Sequence, residues 1–450
     1  MKNNYKWLLI ALLSCAFFFH QADRALFGLL TVPIQNDLHL TNGQIGWINT
    51  VLSWTLAAMT TVAGFIGDRF SRKWIITVSL IFWSLMTVMM GFTGDWHILG
   101  FAIPAFLTVM FFRSIATGGG ESFYAPSAYA LIAGHHKETR SLALSIHQAA
   151  LYVGLMCSGA LVAAALKWLG SWRYVFMAFG GAGFLLGIVF IFALRDEKGV
   201  GKEQSKAAEA PAQEKGSLVD GLRAYFCNPS ALFATAGFIA IVFVNNAYLF
   251  WVPKFMAEKF RADYILKLGL SPETAGSAEE ITNAIVGAAG AQTMLWHHLV
   301  AFAAIMAGGV LTDRFVRKYP RFRLGFQIVA LVFGAPAIVA IGFAPSIAAT
   351  IAMTAVYGIF RGGFEVNTHA SLFDVVDPRH RSTAVGLLNM LAFFFGGLSG
   401  WMIGKMSERW GVRGFEYSFV VMGGAYLLAA FLMALSFFFT FKRNRVVETA

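Results

Sequence analysis

The sequence predicts an all-α membrane protein, with twelve transmembrane helices in two pseudo-symmetric six-helix bundles and both termini cytoplasmic. Three observations predict it. Of 450 residues, 57% are hydrophobic and 13% charged, with a mean hydropathy of +0.63, whereas soluble domains carry about 25% charged residues. Apolar runs recur at the length of a bilayer crossing, about 20 residues each. A ten-residue motif after the second run returns, with the same spacing, after the eighth.

The spans follow in order. Stretches free of Lys, Arg, Asp and Glu cover 38–67, 74–94, 141–166, 174–194, 224–253, 281–312, 324–360, 382–404 and 417–441. The stretch 324–360 is too long for one helix, and Pro345 in Gly342-Phe343-Ala344-Pro345-Ser346 marks a turn that divides it. Two further spans carry charges inside them: 7–30 contains Asp23-Arg24, and 98–133 contains Arg113 and Glu121. Met1–Phe19 has the two lysines and apolar core of a signal peptide, but no small-residue cleavage site follows. It is read as a retained first helix.

Lysine and arginine set the orientation. With both termini cytoplasmic, the inner segments hold 23 of the 35, the outer loops nine and the spans three, namely Arg24, Arg113 and Arg361. That asymmetry obeys the positive-inside rule. The net charge of +11 is then an orientation signal facing anionic lipid, not a nucleic-acid footprint. Cys15, Cys157 and Cys227 fall in or beside apolar runs and offer neither a disulfide framework nor metal-finger spacing.

The motif is Gly64-Phe65-Ile66-Gly67-Asp68-Arg69-Phe70-Ser71-Arg72-Lys73, repeated as Gly309-Val310-Leu311-Thr312-Asp313-Arg314-Phe315-Val316-Arg317-Lys318. Arg140-Ser141 at the start of span five matches Arg381-Ser382 at the start of span eleven. The expected division is an N-terminal bundle at 1–194, a cytoplasmic linker at 195–223 and a C-terminal bundle at 224–450. An outer insertion at 254–290 contains a short helix near 277–286.

Ionisable groups at membrane depth cost several kcal/mol, so they face a cavity and carry function. Arg113, Thr117 and Glu121 are spaced four apart, which places them on one helix face; Arg361, Glu365 and His369 repeat the spacing in span ten. Carboxylates in a water-poor cavity hold a proton more readily than in water, which makes Asp23 and Glu121 the candidates for proton coupling. A guanidinium stays charged and presents a donor fork matching a carboxylate, so Arg24 and Arg113 are candidates to grip an anion. The competing reading is that these charges only neutralise one another, and for the i,i+4 pair Arg361–Glu365 the two readings stand level. Further candidate lining comes from His20, Gln21, His147, Gln148, Asn246, Tyr248, Trp251, Asn367 and Asn389. Amides and phenols at midplane suit a hydroxyl-rich substrate, though they also knit helices together. His297-His298 lacks a third ligand at metal spacing, and Gly118–Gly120 lacks the Lys-Ser/Thr of a phosphate loop; close helix approach explains those glycines better.

The doubled motif resembles that of the major facilitator superfamily across the whole chain. The resemblance implies a conformational lock at the cytoplasmic ends, formed by Gly64, Asp68, Arg69 and Arg72 with Asp313, Arg314 and Arg317. Asp23-Arg24, Arg113 with Gly118-Gly119-Gly120-Glu121, Tyr248-Leu249-Phe250-Trp251-Val252-Pro253 and Gly170-Ser171-Trp172-Arg173-Tyr174 are similar to the anion:cation symporter family, which moves hexuronates, aldonates, sialate and other organic anions with protons. Gly118 to Tyr124 also resembles the spinster-like branch, which handles lysolipids. The resemblance gives Asp23 and Glu121 to protonation and Arg24 and Arg113 to the substrate; Tyr124, at the end of the Gly118 to Tyr124 segment, is a further substrate candidate. The expected function is proton-coupled symport of a small organic anion, a sugar acid, by alternating access, with a spinster-like lysolipid carrier as the alternative. It implies no cofactor beyond the proton as coupling ion, no metal and no nucleic acid. Its partners are the anionic substrate, protons and membrane lipid, and the chain is expected as a monomer, multi-pass, in a bacterial inner membrane. No Ser/His/Asp constellation supports an enzyme.

Overall fold

The computed structural model describes residues 2–67, 70–136, 138–195, 218–271 and 277–446. It is helical almost throughout. Among the described residues, ten helices are long and apolar enough to cross a membrane, from Tyr5–Leu29 to Val412–Asn444. Helix Asn42–Gly67 adds a further 26 residues. It starts where Thr41 and Gln44 cap each other, backbone N–H to side-chain oxygen, at 2.9 and 3.2 Å. That reciprocal arrangement satisfies two donors the first turn would otherwise leave open.

The stretch expected as span four is segmented. Helix Ala105–Val109 runs into a π segment, Met110–Thr117, then Gly118–Glu121 and, after a turn, Tyr124–His135. The expected start at 98 is corrected. Trp96–Ile98 and Phe101–Ile103 form an antiparallel two-stranded hairpin, so the chain is not helical without exception. Leu99 and Gly100, with φ of 51° and 84°, close it; two successive positive φ angles are what a tight hairpin turn demands. The division at Pro345 is seen directly: one helix ends at Phe343, and the next starts at Ile347 with Ser346 accepting the Ala349 N–H.

Near the expected insertion, helix Pro229–Lys259 is followed by Arg261–Leu268. The short helix expected near 277–286 is the opening of a 39-residue helix, Ala278–Val316. Ser277 and Glu280 form its capping box, at 3.3 and 3.1 Å. Of the linker expected at 195–223, residues 196–217 lie outside the described residues, and Leu218–Phe226 is a helix.

The chain forms two compact units. Unit one comprises Met1–Ala207, Leu249–Leu295 and Gly400–Lys405; unit two comprises Ala208–Tyr248, Trp296–Ser399 and Met406–Ala450. Unit one pairs helix Lys2–Leu29 with Arg140–Leu169 and Arg72–Met90 with Trp172–Ala193. The core of unit one gathers Leu13, Phe17, Leu80, Trp83, Tyr124, Leu131 and Phe190. Unit two pairs Phe322–Phe343 with Val412–Leu435. Leu185 and Phe192 in unit one, and Phe431, Phe438 and Phe439 in unit two, are exposed, as lipid-facing side chains must be. Within unit one, backbones touch at glycine. A Cβ on Gly46 would run into the carbonyl oxygen of Gly400, and one on Gly159 into that of Gly290. Only glycine permits so close an approach.

Candidate functional site

Four charged side chains converge in unit one. Arg113 is buried in the π segment, and its Nη1 stands 3.7 Å from Asp23 Oδ2 and 3.9 Å from Glu121 Oε1. Arg24 Nε lies 3.8 Å from Glu121 Oε2, and His20 Nε2 lies 3.9 Å from the same oxygen. Arg113 also donates to the carbonyl of Arg24 at 3.1 Å, which ties the segmented stretch to the first helix. Asp23 accepts one hydrogen bond, from Thr87 at 3.2 Å.

The ion pairs are loose. Strong Arg–carboxylate bonds are about 2.7–2.9 Å, and none here is that short. Both oxygens of Glu121, the Oδ1 of Asp23 and the Nε of Arg113 are buried without a hydrogen-bond partner among the described residues. An unmet buried polar atom costs on the order of 1–3 kcal/mol. With His20 Nε2, which also lacks a partner among the described residues, five such atoms in one cluster leave donors and acceptors open to a proton or an anion.

The π segment explains how the cluster forms. The sequence spacing places Arg113, Thr117 and Glu121 on one face of a regular helix. A widened turn breaks that register, and Thr117 donates instead to the Phe112 carbonyl, five residues back, at 2.7 Å. The long Arg113 side chain still reaches Glu121. Such π turns concentrate at functional sites. Gly118 and Gly120 let the stretch lie against its neighbours: a Cβ would sit 2.6 Å from Leu52 Cδ1 and 2.9 Å from Phe82 Cδ1.

Around the charges runs an aromatic wall. Phe17 stacks on His147 at 4.4 Å and on Tyr124 at 5.8 Å, while His20 meets the edge of Trp83 at 5.3 Å. Tyr124 donates to the carbonyl of Leu13 at 2.5 Å and lies 3.3 Å from His147 Nε2. Gln21 bonds the His20 ring at 3.0 Å, and Gln148 accepts from Tyr129 at 2.9 Å. Of the candidates here, His20, Gln21, Asp23, Arg24, Arg113, Glu121, Tyr124 and His147 form one neighbourhood, with Gln148 at its margin through Tyr129. Trp251 lies in unit one too, donating to the Gly400 carbonyl at 3.1 Å.

Unit two carries a second cluster. Arg361 reaches Glu365 at 3.2 Å and His297 Nε2 at 3.2 Å, while His297 Nδ1 bonds the Thr354 carbonyl at 3.2 Å. The His297 ring stacks on Tyr357 at 5.0 Å and meets Tyr248 at 4.1 Å; Tyr357 bonds Tyr426 at 3.3 Å. Asn367 donates to Thr312 at 3.1 Å, apart from these groups. Asn246 and Asn389 are half-buried within their helices.

Of the lock residues, Asp68 and Arg69 lie outside the described residues, and Gly64 falls in helix Asn42–Gly67. Arg72 donates to the Ala130 carbonyl at 3.5 Å. Asp313, Arg314 and Arg317 are exposed.

Sequence reasoning misses three features. His297 enters it only as a rejected metal ligand, yet the ring orients Arg361. Lys254 lies inside a continuous helix, buried against Gln35 and Asn42 and 3.4 Å from Glu258. Asp37 draws Arg173 at 2.8 Å and the indole N–H of Trp172 at 3.1 Å, while Arg173 donates to the Thr93 carbonyl at 2.6 Å. The Trp172-Arg173 pair is therefore a clamp between helix ends. Only the helical run-on past 253 is a signal for Lys254.

The family model described as Major Facilitator Superfamily matches residues 12–290. The chain is 24% identical to Protein spinster homolog 1 of Xenopus tropicalis over 435 residues, 91% of this chain and 77% of that protein. The form from Rattus norvegicus is matched over 47% of its length. The Probable galactarate/D-glucarate transporter GarP of Escherichia coli (strain K12) is 24% identical over 285 residues, 59% of this chain and 62% of that one. In fold, the chain is similar to the bacterial homolog of the human lysosomal transporter Spinster, solved inward-facing and unoccupied. Its TM-score is 0.72, at 20% identity and 99% coverage of both chains. By its helices and by these matches, the chain belongs to the Major Facilitator Superfamily: it is a multi-pass membrane transporter and not an enzyme.

Proposed function

We propose that the chain is a secondary transporter carrying a small organic anion together with a proton, by alternating access. One observation carries the reading: buried Glu121 and Asp23 share the Arg113 guanidinium at 3.9 and 3.7 Å, and neither Glu121 oxygen has a hydrogen-bond donor among the described residues. Protonating either carboxylate removes a negative charge from Arg113 and frees its donor fork for an anion. Losing that proton restores the ion pair and weakens the anion's hold. Proton and anion are thereby coupled, each favouring the other's binding.

A sugar acid such as a hexuronate, aldonate or sialate is the substrate class this reading takes. The similarity to GarP supports it, as do the amide and imidazole groups of Gln21, His20 and His147 around the charges. The location that goes with it is a bacterial inner membrane. A second reading, a spinster-like carrier of a lysolipid, is favoured by the match to spinster homolog 1 over 91% of the chain and by the Phe17–Tyr124–Trp83 wall.

Uptake into proteoliposomes, with a panel of sugar acids and lysolipids and with and without an inward proton gradient, tests both. Gradient-stimulated uptake of a sugar acid is expected. Lysolipid movement alone shifts the assignment to the second reading, and no gradient effect on any substrate removes the proton.

A further inference from the structure

Unit two contains a crevice that neither charged cluster uses. It has a volume of about 700 Å³ and lies between the start of helix Phe322–Phe343 and the end of the last long helix. Phe322 and Phe326, stacked at 5.8 Å, form one wall together with Val329; Phe437 and Phe441 form the other. Its mouth is cationic: Arg321, Lys442 and Arg445 line it, and no carboxylate does among the described residues. Arg321 sits over the Phe437 ring at 5.3 Å.

Two details shape the crevice. The segment Ser436–Thr440 is a π turn, which shifts the register of Phe437 and Phe441 relative to the helix before it. Gly325 lines the floor, and a Cβ there would stand 3.3 Å from Phe437. From Phe322 to Val329 the apolar wall spans roughly 10 Å of helix. That is room for part of an acyl chain, below a rim that attracts a phosphate.

We propose that this crevice binds an anionic phospholipid from the membrane leaflet on the basic side. One acyl chain lies between Phe326, Val329 and Phe437, and the phosphate meets Arg321, Lys442 and Arg445. Charge complementarity selects the ligand: no carboxylate among the described residues lines the crevice, and three cations, of which Arg445 also feels Asp374 beside it, favour an anionic headgroup over a zwitterionic one. The apolar wall selects a lipid over a soluble phosphate. The site is independent of the transport reading, because none of its residues belongs to either charged cluster.

Native mass spectrometry of the delipidated full chain tests this. It is titrated with phosphatidylglycerol or with phosphatidylcholine of the same chains, and with glycerol phosphate as competitor. The wild-type chain should bind phosphatidylglycerol at least about tenfold tighter, with glycerol phosphate failing to displace it. Neutralising Arg321, Lys442 and Arg445 to Gln should abolish that preference, and Gly325→Leu should lower retention of both lipids. Neutralising Lys318 and Arg443, exposed cations outside the crevice, should change neither. Equal affinity for the two lipids in the wild-type chain overturns the proposal. So does displacement by glycerol phosphate, or equal loss of preference in the Lys318/Arg443 control. If the triple variant does not fold, Gly325→Leu decides: undiminished retention refutes the site.

Discussion

Arg113, inside a π segment, and Glu121, just beyond it, meet at 3.9 Å, and neither oxygen of Glu121 accepts a hydrogen bond from a donor among the described residues. A buried carboxylate this loosely held by its cation is poised to change partner.

Arg113→Lys should raise the Michaelis constant for the proposed organic anion about tenfold or more. An ammonium keeps the charge but cannot present a planar fork, and a charge-assisted hydrogen bond contributes ~1.5–3 kcal/mol. Uptake kinetics on purified protein check it. A near-normal constant assigns Arg113 to neutralising Asp23 and Glu121 alone.

Arg361→Lys in unit two should cut the uptake rate while leaving the melting temperature within a few degrees of wild type. Arg361 lies between His297 and Glu365, at 3.2 Å from each. If the pair only neutralises itself, stability falls and transport per folded molecule does not.

Gly46→Leu should break the contact within unit one where Gly46 meets the Gly400 carbonyl. Thr50, buried and bonded to the Trp401 N–H at 3.1 Å, reports on it. In a chain with its three cysteines replaced by serine, Thr50→Cys should react several-fold faster with a polar maleimide when combined with Gly46→Leu. Unchanged protection contradicts the closed contact.

Arg173→Ala should lower the melting temperature by a few degrees without altering transport per folded molecule. It removes the 2.8 Å pair with Asp37 and the bond to the Thr93 carbonyl. Partly exposed pairs of this kind contribute little, on the order of 1 kcal/mol. A transport defect in fully folded protein makes the clamp part of the transport cycle.

Much of the helical architecture is legible in the sequence because lipid requires long apolar runs and penalises charge within them. That is why Asp23, Arg24, Arg113 and Glu121 stand out, and why Pro345 marks a turn. The rest depends on geometry that hydropathy does not encode. A π turn leaves the apolar pattern intact while changing which side chains align: the 3.6-residue period puts Arg113 and Glu121 on one face, but it does not show the widened turn between them. The hairpin at Trp96–Ile103 rests on two positive φ angles at Leu99-Gly100. His297 reads as half of a histidine pair until Arg361, 64 positions later, reaches its ring. The Ser277–Glu280 capping box is readable in the sequence and marks the true start of helix Ala278–Val316.

In the proposed transport cycle, Asp23 and Glu121 carry the coupled proton. Glu121→Gln and Asp23→Asn fix each group in a form that resembles its protonated state. Counterflow and gradient-driven uptake, measured on the same purified mutants, separate binding from coupling. Exchange of labelled for unlabelled substrate should survive in both mutants, while accumulation driven by a proton gradient should vanish. Gradient-driven accumulation persisting in both would contradict that role of the two carboxylates.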